Sequence, residues 1–167
     1  MEIKTRRTFS GEANYHKFEI ACGQLETAIH LFLTDGADMF SAITLGAAAA
    51  ELLHRLVLNA GKEPFVDGVV QIEANRRGQT PKRGEIISAM HRIQFVNALK
   101  HFDKDDPDIV TFNAELCAIA VIVPAIQDFQ TFTGSITKSM QAMVRWTTKH
   151  VSTWKDGKEI GWSEPLG

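Results

Sequence analysis

Cysteine is scarce in this chain: Cys22 and Cys117 are the only two, and neither has a metal-ligating partner at C-x-x-C spacing. A zinc ribbon or a disulfide framework is therefore not expected. Cys117 lies inside "ELCAIAVIV", where a free thiol behaves as a small core residue. Charge of one sign is also missing: the formal net charge is -2, which offers nucleic acid no bulk attraction. Long apolar runs are absent too. The longest, "LCAIAVIVPAI", is short for a bilayer and holds Pro124. The start, "MEIKTRRTFSGEANYHKF", has no apolar stretch after its basic residues, so no secretion signal is read there. No phosphate-binding glycine loop, nucleophile elbow, internal repeat or low-complexity segment is found, and no cofactor is implied. The expectation is a cytoplasmic protein that does not enter a membrane.

What is present is helical periodicity. A single all-α domain spanning 1–167 is expected, with a core from about 15 to 155, an N-terminal arm 1–14 and a C-terminal tail 156–167. Phe18, Cys22, Leu25, Ile29 and Phe32 set the first helix, ended by Gly36. The second begins at Asp38 or just after it and closes at Gly61. Its middle, "LGAAAA", is small-sided, so another helix can approach its backbone closely. "FVDGVVQIEA" reads as a short helix in an irregular stretch. A third long helix is expected from about Glu85 to His101. A fourth follows Asn113 as its cap, with Leu116, Ile119, Val123 and Ile126 as its inner stripe and Pro124 breaking one backbone bond. Ser135 is expected to cap a fifth. Trp146, Trp154 and Trp162 read as tail-docking or interface residues. The architecture expected is an antiparallel bundle of four to five helices.

One polar pair stands out. The stripe Ile86, Met90, Ile93, continued in steps of three or four, reaches Asn97 and His101. Both are thereby expected on the core-facing side, where each needs a hydrogen-bond partner. Histidine titrates near neutral pH, so His101 suits proton transfer, and Asp103 or Asp105 nearby would raise its pKa. It also suits a helix C-terminus, where a cation is favoured with no chemistry involved. Asn97 reads first as a structural tie to a neighbouring helix or loop.

"LETAIHLFLTDG", "LGAAAAELLHRL", "NALKHFDKDDPD" and "FNAEL", taken in series, resemble a group of bacterial helical proteins similar to the HEPN superfamily. The resemblance covers roughly Leu25 to Phe132. It implies a four-helix bundle that commonly dimerises, and in many members a metal-independent ribonuclease of defence or stress systems. Active members carry an Arg, a polar neighbour and a His a few residues on. Here Asn97 and His101 match, but Val96 stands where the Arg should be. The resemblance thus implies His101 as the catalytic acid or base, positioned by Asn97, with Arg92 or Lys100 as substitute phosphate contacts. Val cannot replace the planar fork with which Arg grips phosphate. RNA or a nucleotide, a second copy of the chain and a protein partner are the partners expected. The competing reading is a non-catalytic module in which the polar pair locks the bundle and the small-residue helix packs a dimer.

Other charged groups read more plainly. Arg76, Arg77, Lys82 and Arg83 form a solvated basic loop or a nucleic-acid patch. Asp103, Asp105, Asp106 and Asp108 lack the turn glycine of a calcium loop, and Pro107 intrudes. His30 with Glu26, and His54 with Glu51, read as helix-surface pairs, as does Glu51 with Arg55. No metal site is expected.

Overall fold

The computed structural model describes residues 11–34, 38–94, 96–100, 104 and 108–151. His101, the aspartates at 103, 105 and 106, Gly36, Trp154, Trp162 and both chain ends lie outside the described residues. All the described regular structure is helical: α1 Lys17–Thr34, α2 Met39–Asn59, α3 Phe65–Arg77, α4 Arg83–Gln94, the single turn α5 Val96–Lys100, α6 Ala114–Thr133 and α7 Lys138–Val151.

The helix starts follow capping chemistry. Asp38 accepts from the Ser41 N–H at 3.0 Å, and Asn113 from the Leu116 N–H at 3.0 Å. The α7 start differs from the reading above. Thr137, not Ser135, accepts from the Met140 N–H, at 3.3 Å. Thr137 and Ser139 also donate to Glu26, tying α7 to the middle of α1. At the far end of α6 the Lys62 ammonium donates to the carbonyls of Thr131 and Phe132, at 2.8 and 3.0 Å, satisfying groups the helix leaves open.

Successive long helices alternate in direction. Phe18 stacks on Phe129 at 5.4 Å, so the start of α1 meets the end of α6. Phe32 meets Trp146 edge-on at 4.7 Å, which sets α7 alongside α1 in the same direction. Within this alternation α2 and α6 run parallel, because Gly46 faces Val121 while Lys62 reaches Thr131. They make the most extensive contact in the molecule, together with that between α1 and α2. The small side of "LGAAAA" is what permits it: a Cβ on Gly46 would lie 2.9 Å from Val121 Cγ2.

The core draws Leu25, Ile29, Ile43, Leu53, Val121, Ile122, Met140 and Met143 from four helices, all essentially excluded from solvent. Two expected stripes are displaced. In α6 the deeply buried positions are Cys117, Ala118, Val121, Ile122, Ala125 and Phe129, and of the expected stripe only Ile126 is buried with them, while Leu116, Ile119 and Val123 are half-buried. Around α4 and α5, which lie on either side of residue 95, itself outside the described residues, Ile86, Ala89, Gln94 and Val96 are buried, while Met90 and Ile93 are half-buried.

Both α2 and α6 have the length and mean hydropathy, 1.3 and 1.4, of a helix able to cross a membrane. The apolar-run criterion had missed this, because single polar residues interrupt each helix. Here the same two helices supply the centre of the core, and an apolar surface on several sides is what such packing requires.

Candidate functional site

The residues singled out in the sequence do not gather where the stripe placed them. Asn97 is exposed, not inward-facing, and Val96 beside it is buried in its place. Among the described residues no hydrogen bond ties its amide to a neighbouring helix, and most of the loop after it lies outside the described residues. Arg92 is exposed on α4. Lys100 ends α5, and its side chain is not among the described groups. Three of the four residues of the basic run are paired within the chain. Arg76 and Arg77 grip Glu73 at 2.8 and 2.9 Å, Arg77 also reaches Glu85 at 2.9 Å, and Arg83 lies 3.1 Å from Asp67. The Arg77–Glu85 and Arg83–Asp67 pairs clamp α3 against α4. Glu51 and Arg55 form no ion pair, and His30 accepts from or donates to Thr34 within its own helix.

What the fold does build is a cleft of about 320 Å³, walled by α2, α3, α4, α5 and α6. Its apolar walls include Ala47, Ala50, Phe65, Met90 and Pro124. Its polar groups are Glu51, His54 and Arg55 from α2, His91 and Gln94 from α4, Asn97 at the rim, and Asp128 from α6.

Two of these, Gln94 and Asp128, were not singled out from the sequence. Gln94 is buried, and its amide donates to the Ala120 carbonyl at 2.9 Å. Ala120 is four residues before Pro124, so its carbonyl is the one left without a helical N–H. The Gln94 side chain fills the bond that Pro124 removes. Gln94→Leu is accordingly expected to cost about 1–3 kcal/mol, the range for a buried acceptor left unsatisfied. In a Pro124→Ala background, where residue 124 supplies its own N–H, the same change is expected to cost measurably less. Urea denaturation of the four proteins in this cycle is the measurement, and additive losses would show that Gln94 and Pro124 are not coupled.

Asp128 is 3% exposed, and one carboxylate oxygen accepts from the Phe65 N–H at 2.6 Å. Phe65 opens α3 directly after Pro64, which makes no side-chain cap, so a carboxylate from another helix does the capping. Burial pushes Asp128 up to about 6, with Asp67 acting in the same direction and the Phe65 hydrogen bond and Arg83 opposing it. Nearby, His54 Nε2 lies 3.5 Å from the Arg83 guanidinium. Burial first, then Arg83 and Arg55, hold its imidazole below the usual histidine value.

Burial likewise raises both thiols, Cys22 and Cys117, and Cys117 Sγ points at the Ile93 carbonyl at 3.3 Å. They are structural in character, not nucleophilic. No group of three or more metal-ligating side chains occurs among the described residues. No family model, curated protein or solved structure matches this chain.

Proposed function

We propose that this chain is an HEPN-like helical domain that binds RNA or a nucleotide beside α5. In this reading His101 is the proton-transfer group, Asn97 positions it, and Arg92 or Lys100 contacts phosphate. The observation that supports it best is the exposure of Asn97 on the rim of the cleft, where its amide is open to a ligand. An amide spent inside the bundle would have spoken for a structural role alone. Val96 is buried, so the phosphate contact missing from the motif has no substitute at that position. Binding is therefore the primary activity in this proposal, and cleavage a degenerate one.

The test is titration of the purified chain into labelled single-stranded RNA with EDTA present, followed by fluorescence anisotropy and by gel. Arg92→Ala with Lys100→Ala is expected to weaken binding about tenfold or more and to flatten its salt dependence. Any metal-independent cleavage is expected to vanish in His101→Ala. Absence of RNA binding at low salt overturns the proposal.

A second reading is a non-catalytic interaction module that forms a homodimer or holds a protein partner. It is favoured by Phe40, Ile109 and Val110, exposed apolar side chains, with Phe40 in ring contact with Phe112 at 6.3 Å. The Gly46 side of α2 is not the surface for it, since α6 of the same chain fills that side. If this reading holds, Phe40→Ser with Ile109→Ser converts a dimer to a monomer in sedimentation while leaving the helical signal unchanged.

A further inference from the structure

We propose that the cleft binds a small organic cation, an alkylammonium or amidinium group, on the free carboxylate oxygen of Asp128. The inference stands on the cleft alone and needs no nucleic acid. Asp128 is 3% exposed and lines the cleft. One of its oxygens is held by the Phe65 N–H. No ion pair to Asp128 forms among the described residues, since the nearest guanidinium, that of Arg83, pairs with Asp67. A buried carboxylate without a cation is costly, and the surroundings supply a place for one to enter.

The remaining charged and titratable groups around it do not fill that role. From α2, Glu51 is an anion, Arg55 is exposed, and His54 is held below its ordinary value, hence neutral at neutral pH. From α3 comes Asp67, a further anion, and from α4 come Arg83, taken by Asp67, and His91, which is exposed. Ala47, Ala50, Met90 and Pro124 offer apolar walls for the methylenes of such a ligand. Phe65 adds an aromatic wall, against which an ammonium group is also favoured. A cation bound there draws the carboxyl back toward its ionised form, so binding releases protons wherever Asp128 is partly protonated.

The probe is n-butylammonium chloride, with 1-butanol as its uncharged counterpart of the same size, titrated into the full chain and followed by ¹H–¹⁵N NMR. The Phe65 amide reports on the site because it donates to Asp128. At about pH 7.5 the Phe65 resonance is expected to shift saturably with the ammonium, at an affinity roughly tenfold above that for the alcohol. Asp128→Asn retains an oxygen for the Phe65 N–H, and the rest of its spectrum reports whether the fold is kept. In that variant the preference for the cation is expected to disappear, and it is expected to fall in the native chain near pH 4.5, below the Asp128 value. Equal affinity for ammonium and alcohol overturns the proposal. So does a cation preference that survives in Asp128→Asn, or the absence of any saturable shift at Phe65.

Discussion

Gly46→Val is expected to be the most damaging single substitution in the helical core, lowering stability by about 3 kcal/mol in urea denaturation. Gly46 is buried in the middle of α2, and a Cβ there would lie 2.9 Å from Val121 Cγ2 and 3.1 Å from Ile122 Cγ1. Valine adds two further methyl groups to that space. Both neighbours are β-branched, confined at χ1 and fully buried, so neither can swing aside. The α2–α6 pair would have to separate, and with it the contact that carries the core. Gly46→Ala sets two effects of similar size against each other. Alanine favours a helix interior over glycine by about 1 kcal/mol, and the tight approach to Val121 takes back a comparable amount. A change within about 1 kcal/mol is expected. Gly23 and Gly68 are the controls, since each lies in a helix with open space where its Cβ would be. Alanine at either is expected to stabilise by about 0.5–1 kcal/mol. Val121→Ala in the Gly46→Val background is expected to restore part of the loss. If Gly46→Val proves as stable as the native chain, close packing of α2 on α6 is not what the small residues are for.

The helical class and most helix ends were legible because they depend on short-range chemistry. Asp38 and Asn113 announce α2 and α6 through caps that each chain segment makes with itself. "LGAAAA" announced a close approach, although not that α6 would make it. The α4–α5 region was misread for a physical reason. A helical stripe continues in steps of either three or four residues, and from Ile93 the step of three reaches Val96, which is buried, while the step of four reaches Asn97, which is exposed. The α6 stripe was misplaced because that helix is apolar on several sides, so periodicity alone leaves its inner face undetermined. Only packing against α2 and α4 decides it.

The cleft was harder to read, since its polar groups answer to distant partners. Nothing local to Gln94 shows that it sits opposite Ala120, twenty-six residues away in the chain. Pro124 did signal a missing bond, but the side chain that completes it is a tertiary fact. Asp128 left a fainter trace, overlooked in the sequence. It falls three residues after Ala125 and seven after Val121, on the buried side of an otherwise apolar helix. A carboxylate in that position signals either a partner brought in from another helix or a displaced ionisation. Asp128 has both.

Replacing that carboxylate by its amide is the second large effect expected. Folding raises the ionisation of Asp128 from the usual aspartate range to about 6. Between those two values the folded chain holds a proton that the unfolded chain has released. Stability from this group is therefore fully present below about pH 4 and is lost as pH rises toward 6, by roughly 3 kcal/mol at about 1.4 kcal/mol per unit. Asp128→Asn carries no charge and keeps an acceptor for the Phe65 N–H, so it should escape that loss. At about pH 7.5 it is expected to be more stable than the native chain by up to about 3 kcal/mol, and near pH 4 to be equal to it. His54 acts in the opposite sense over part of the same range, since its depressed ionisation gives stability above about pH 6.5 that is lost as pH falls. It is present in both proteins, so the difference between them isolates Asp128. Asp38 and Glu73 are held low by hydrogen bonds from Ser41 and Arg76, and their contributions are lost only at more acid pH. Asp128→Ala separates charge from acceptor: it too loses the pH dependence, but it leaves the Phe65 N–H without its partner. It is expected to lie about 1–3 kcal/mol below Asp128→Asn at every pH. Thermal and urea unfolding of the three proteins from pH 4 to pH 8 reads all of this. If the native chain and Asp128→Asn keep a constant difference across that range, then the carboxylate is not displaced by burial and α3 is capped by an ordinary surface acid.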